Sequence, residues 1–187
     1  KLIERLMRIA GEHAGAERGL LILLRDDKPQ IEAEANIIRG GINVTVRQTA
    51  VTPFDLPQSV LLYVIRTQER LVLDDASVRS VYSEDEYVRQ KRAKSILCLP
   101  IVKQSKLVGA LYLENNLTPR AFTPDRIAVL ELLASQAAIS LENATLYSDM
   151  ERSAAYLAQG QSISHTGSFG WNIASSELFW SEETYNV

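Results

Sequence analysis

Residues 96–147, ILCLPIVKQSKLVGALYLENNLTPRAFTPDRIAVLELLASQAAISLENATLY, decide how this chain folds. Ser95 to Ile101 is a short, nearly continuous apolar run that reads as a strand, Lys103 to Lys106 is a polar turn, and Leu107 to Glu114 is a second strand. Thr123 and Pro124 then supply a cap and a first helical residue. No glycine or proline interrupts the chain from Asp125 to Gln159, so one long helix is expected there. It is apolar on two sides. Ile127, Leu130, Ala134, Ala137, Leu141 and Ala144 fall at alternating spacings of three and four, the seam of a coiled coil. Val129, Leu132, Leu133, Ile139, Leu146 and Met150 form a second stripe suited to packing on a sheet. Two apolar faces need two partners: either a second copy in a parallel dimer, or other parts of the same monomer.

Upstream, Leu2, Ile3, Leu6 and Ile9 recur at helical spacing over residues 1 to about 14. Leu20 to Leu24 is a run of five aliphatics suited to a central strand. Asp26-Asp27-Lys28-Pro29 has the composition of a hairpin turn. Ile31, Ala33, Ala35 and Ile37 then alternate with Glu32, Glu34 and Asn36, a half-buried strand with its acids outward. Gly40-Gly41 turns the chain into Ile42, Val44 and Val46, which predicts three antiparallel strands in series. Pro57 opens a helix through Val60, Leu61, Val64 and Ile65, and Leu71 to Leu73 is a short extended piece. Asp74 to Tyr82 is a polar loop, and Ser83 with Glu86 reads as a capping box for a charged helix to about Ala93.

Composition narrows the function. Net charge is −3 and the 20 Lys and Arg are scattered, which argues against a nucleic-acid partner. No apolar run approaches the roughly 20 residues that span a bilayer. The single cysteine excludes a disulfide framework and fits a reducing, cytoplasmic compartment. Cys98 has aliphatic neighbours, which makes it a buried thiol rather than a redox, metal or chromophore site. His13 and His165, the only histidines, form no metal spacing with it. Neither a catalytic residue nor a metal or cofactor site is predicted. The chain opens inside an amphipathic pattern and stops as a new one develops, as expected of a piece of a larger polypeptide.

The runs Gly109–Asn115, Phe122-Thr123-Pro124-Asp125 and Leu133–Ala144, in that order, resemble the C-terminal half of a GAF domain. The last run is close to one in large sensor proteins that chain a kinase-like domain, an ATPase, a GAF domain, a PAS domain and a histidine kinase. Ser164-His165-Thr166-Gly167-Ser168-Phe169-Gly170-Trp171 is similar to the start of a PAS domain. The resemblance implies an α+β fold, with an antiparallel sheet of five to six strands flanked by helices and a long C-terminal signalling helix. It also implies a GAF domain over residues 1–147, that helix over 125–160, and a truncated PAS start over 161–187. In GAF domains the ligand cavity lies between the sheet and the elements corresponding to residues 54–94. Phe54, Tyr63, Tyr82, Tyr87, Arg92, Ser95 and Tyr112 are therefore pocket candidates for an unidentified small molecule, with a solvated charged helix as the alternative reading of residues 74–92.

By the same resemblance the function is that of a sensor and dimerisation module in a histidine kinase, with the downstream PAS and kinase domains as partners. A ligand-free dimerisation spacer is the alternative. Asn115, Phe122 and Asp125 only partly match the signature of cyclic-nucleotide-binding GAF domains, since Asn116 and Arg126 replace the expected lysine and glutamate. A bilin chromophore wants a histidine beside its cysteine, and none is near Cys98. Methionine-sulfoxide-reducing GAF proteins rely on several cysteines. His165 is followed by Thr166-Gly167 rather than the acidic residue of a phosphoacceptor box.

Overall fold

The computed structural model describes residues 2–38, 41–78, 80–173 and 175–185, with the side chains at positions 2, 141, 142, 144, 145, 148 and 182 outside the description. Gly40, Arg79 and Ala174 lie outside the described residues. Two compact units are present, residues 1–140 and 141–187.

The first unit is built on a six-stranded sheet in the order β3-β2-β1-β6-β5-β4, with every neighbouring pair antiparallel. The helix α1 (Leu2–Ala14) leads into β1 (Arg18–Arg25), β2 (Lys28–Ile38) and β3 (Gly41–Ala50), the expected meander. Asp26 and Asp27 join β1 to β2 with φ of +49° and +59°, so Lys28 and Pro29 already belong to the strand. Positive φ at both turn positions is the hairpin geometry that matches strand twist. Gln104 and Ser105 repeat it, at +45° and +64°, between β5 (Ser95–Lys103) and β6 (Lys106–Asn115).

Pairing β6 with β1 in the sheet centre requires close approach at Gly109. A Cβ there would overlap the carbonyl oxygen of Ile22, which explains a glycine inside a strand. The sheet buries both faces. Residues opposite one another in antiparallel strands share a face, so Leu20 sits with Tyr112 and Ile22 with Ala110. These four join Ile31, Ile96 and Cys98 in a core covered by Val60, Leu61 and Val64 of α2 (Gln58–Thr67). On the other face α1 packs against β1, β2 and β3 and buries Met7, Ala10 and Ala14.

Two local expectations are corrected. Ser83 does not cap a helix; its hydroxyl donates to the Ser80 carbonyl in a preceding turn. The cap of α3 (Glu86–Lys91) is Asp85, whose Oδ1 accepts from the Tyr87 amide at 3.0 Å. Its Oδ2 accepts from the Ser59 amide at 3.0 Å and hydroxyl at 2.7 Å. Pro57, ahead of α2, offers no side-chain cap, so one carboxylate serves the first turns of both helices. That shared cap fixes where Tyr87 stands. The helix also ends sooner than predicted, with Arg92 in the left-handed conformation at φ +52°.

The long helix α4 runs Pro124–Ser164. In the first unit Ile127, Leu130, Ala134 and Ala137 are buried, while Leu132 is 64% exposed and Val129 and Ile139 nearly half. The two faces are thus exchanged relative to expectation. The three-and-four spacing of the predicted dimer seam is the domain's own packing face, and the second stripe is the one left open. The side chains of Leu141 and Ala144 lie outside the described residues. In the second unit, β7 (Phe169–Asn172) and β8 (Glu177–Trp180) form a two-stranded antiparallel sheet, with both strands exposed. His165 follows the helix with φ +51°, its ring 3.2 Å from Glu183.

Candidate functional site

The region in which the pocket was expected divides in two. Its larger part is filled. Tyr112 is fully buried in the apolar cluster under α2, and Tyr63 and Tyr82 pack edge to face against that cluster, ring centroids 6.3 Å apart. Ser95 is also buried, its hydroxyl donating toward the Asp74 and Thr118 carbonyls and accepting from the Ala121 amide, so it fastens a loop. Arg92 is an exposed helix end. Cys98 is a fully buried free thiol, and burial pushes its pKa up to about 12, so it has no thiolate to offer.

The smaller part is an open cleft of about 530 Å³ at one end of the same sheet face. Only Phe54 and Tyr87 of the seven candidates line it. Its floor comes from side chains whose grouping the strand register dictates. Arg18 of β1 stands opposite Glu114 of β6 and Asn36 of β2, and Glu34 stands opposite Leu20. Glu34 reaches this face because β2 bulges at Glu32. Ile31 pairs with Ile22 and Ala33 with Leu21, and the skipped residue shifts the alternation by one. Glu34 and Asn36 were expected on the solvent side with Glu32; the bulge brings them into the cleft. Glu32 itself is buried and held by Arg25 at 3.0 Å.

The floor is a closed electrostatic circuit. Arg18 Nε donates to Glu34 Oε1 at 2.7 Å, and its Nη1 donates to the Asp55 carbonyl at 2.6 Å and to the Tyr87 hydroxyl at 2.8 Å. Tyr87 in turn donates to Glu114 Oε2 at 2.8 Å, as does Tyr112 at 2.7 Å. Arg47 Nη1 takes the second oxygen of Glu34 at 2.6 Å. Burial acts to lower the Arg18 pKa, but the bond to Glu34 and the nearby Tyr87 and Glu114 outweigh it and raise the pKa well above its ordinary value. Burial acts to raise that of Glu34, but its bonds from Arg18 and Arg47 outweigh it and hold the carboxyl below its ordinary value. Burial is also the main reason the Tyr87 hydroxyl is pushed well above its usual range. Arg18 and Glu34 therefore stay charged around neutrality.

Asn115, from the cyclic-nucleotide comparison, is occupied structurally. Its Oδ1 accepts from the Leu117 and Thr118 amides, each at 2.9 Å, and its Nδ2 donates to the Gly15 carbonyl at 2.8 Å. Phe122 is buried, and Asp125 sits exposed in the first turn of α4. Among the described residues, no group of three or more His, Cys, Asp or Glu could hold a metal ion, and no helix is long and apolar enough to cross a membrane.

The profile of the GAF domain family matches residues 1–141. The chain belongs to the GAF domain family. This domain is regulatory, as a GAF domain. It is 45% identical over 89 residues, 48% of this chain, to hybrid signal transduction histidine kinase G of Dictyostelium discoideum. It is 26% identical over 157 residues, 81% of this chain, to the probable 3′,5′-cyclic phosphodiesterase pde-5 of Caenorhabditis elegans. Those stretches span 3% and 21% of the two relatives. The GAF domain of a two-component sensor histidine kinase from Bacillus halodurans superposes with a TM-score of 0.57 at 21% identity, covering 79% of this chain and 95% of that one. That likeness establishes the fold.

Proposed function

We propose that this GAF domain is the sensor and dimerisation module of a larger, cytoplasmic signal-transduction histidine kinase, and that two copies pair along the exposed stripe of α4. The pattern of that stripe carries the reading. Val129, Leu132, Gln136, Ile139, Asn143, Leu146 and Met150 recur at alternating spacings of three and four, and Leu132, Leu146 and Met150 are more than half exposed. Asn143 falls at an a position of this heptad, where one polar residue fixes register and strand number in two-stranded coiled coils. Glu142 and Asp149 fall at g. In a parallel pair they would face Tyr147 and Ala154 of the other copy, whereas an antiparallel pair would set acid against acid.

In this reading residues 161–187 begin a PAS domain, and the downstream PAS and kinase domains receive the signal. A ligand or partner that favours one packing of α4 over another would shift the dimer between two states. The filled core under α2 favours the ligand-free spacer reading, and the open charged cleft favours sensing.

Light scattering on the purified chain tests the pairing. The unsubstituted protein is expected to be a dimer, and Leu132→Glu with Ile139→Glu a monomer of unchanged helicity, because both positions are exposed in the single chain. A monomer at all practical concentrations without the substitutions would overturn the proposal. A dimer that survives them would move the interface elsewhere.

A further inference from the structure

The carboxylates of the cleft are largely committed, whereas several of its other polar groups are not. Glu34 spends one oxygen on Arg18 and the other on Arg47, and Glu114 is held by two tyrosine hydroxyls. Arg18 bonds to Glu34, Asp55 and Tyr87 through Nε and Nη1, and its charge is paired with Glu34 and, at 3.6 Å, with Glu114; its Nη2 has no hydrogen-bond partner among the described residues. Lys91, on the wall formed by α3, has no acidic partner among the described residues. One unpaired cation and one spare N–H donor therefore border the cavity.

Unspent acceptors border it as well. Asn116 Oδ1 is buried and is, among the described residues, the one buried side-chain polar atom without a partner. An orphaned acceptor of this kind costs about 1–3 kcal/mol unless something donates to it. Glu17 Oε2 accepts from the Asn116 amide at 2.7 Å, and its other oxygen has no hydrogen-bond partner among the described residues. The rim is apolar and solvent-facing. Ile38, Phe54 and Leu117 are 69%, 75% and 69% exposed, a grouping a soluble surface leaves open at a cost unless something covers it.

We infer that the cleft binds a small zwitterion with an apolar body. Its carboxylate meets Lys91 and Arg18, its ammonium meets Asn116 and Glu17, and its hydrocarbon part lies under Phe54, Ile38 and Leu117. A free α-amino acid with a branched or aromatic side chain has all three parts. The committed acids explain the choice over a simple anion or cation. With Glu34 paired to Arg18 and Arg47, and Glu114 held by two tyrosine hydroxyls, Arg18 Nη2 and Lys91 offer an anion donors, while Glu17 and Asn116 offer the opposite charge a place close by. Sites of this composition, a few convergent polar groups and an apolar wall, are those that take small molecules. The inference rests on the sensing side of the proposed function and not on dimerisation.

Calorimetric titration of the whole chain tests it, with L-leucine and L-phenylalanine as probes and 4-methylpentanoate and isopentylamine as controls that lack one charge each. Either amino acid is expected to bind. Each control should bind about tenfold more weakly or worse, since each forfeits charged hydrogen bonds worth about 1.5–3 kcal/mol. Lys91→Ala and Asn116→Leu should each weaken amino-acid binding by a similar factor. Lys91 is exposed and has no side-chain hydrogen bond or ion pair among the described residues, so that variant keeps the experiment decisive even where Asn116→Leu fails to fold. No heat from either amino acid at millimolar concentration would overturn the inference. So would controls that bind as well as the amino acids, or binding that Lys91→Ala leaves intact. Light scattering on the same samples reads dimerisation separately.

Discussion

One face of one sheet carries two neighbourhoods that solve opposite problems. Under α2, Leu20, Ile22, Ile96, Cys98 and Tyr112 are closed off from water and touch mainly hydrocarbon. Two residues further along β1 and β6, Arg18 and Glu114, with Glu34 of β2 beside them, form the floor of an open cleft. The boundary runs through single side chains: Tyr112 has its ring in the apolar half and its hydroxyl on Glu114 in the other. A domain can keep a responsive end beside a rigid one only if each is stabilised by a different force, and substitutions should separate the two.

The largest effect is expected in the closed half. Ile96→Ala leaves a cavity among residues that have no room to collapse, and should lower unfolding free energy by about 3–4 kcal/mol in urea titration. The loss should be nearly independent of pH, because no charge is involved.

The charged half should behave differently. Arg18→Met removes the donor to Glu34, Tyr87 and the Asp55 carbonyl while keeping part of the packing, and should cost about 2 kcal/mol. Its distinguishing sign is pH. Glu34 is held below its ordinary value of 4.5, so its contribution is present above that value and is lost as pH falls through the lower, folded one. Acid titration of the thermal midpoint should therefore be shallower below about pH 4.5 in Glu34→Gln than in the unsubstituted chain. Equal slopes would mean the ion pairs with Arg18 and Arg47 contribute nothing measurable.

Tyr87→Phe is the smallest change, one hydroxyl between Arg18 and Glu114, and should cost about 1 kcal/mol by chemical denaturation. A loss as large as that of Ile96→Ala would show that the circuit supports the core beneath it and would erase the contrast.

The closed half was the legible one. Runs such as Leu20 to Leu24 and Ser95 to Ile101 announce buried strands by composition, and the order of elements around Gly109 and Thr123-Pro124 resembles a GAF domain closely enough to place the sheet. The charged half was hidden by one inserted residue. Strict alternation sends Glu34 and Asn36 to solvent, and no glycine or proline marks the bulge at Glu32 that reverses them. Glu114 read as a strand end, and Arg18 fell ahead of the expected strand at Leu20 to Leu24. Only knowledge that β1 pairs with β6 makes them neighbours. In α4 periodicity revealed two stripes, and the burial of Ile127, Leu130, Ala134 and Ala137 assigns them the other way round from the sequence reading.

The short link between Gly15 and Asn115 has a mechanical consequence. Gly15, at φ +67°, leaves no space for a Cβ because the Arg126 guanidinium of α4 lies on it, and its carbonyl is held by Asn115. The exit of the first helix and the entrance of the last are thus pinned at one rivet, while Glu17 and Asn116, each next to that rivet in the chain, face the cleft. A guest of the kind proposed for the cleft would touch Glu17 and Asn116 and so lean on the fastener that holds the two helix ends together.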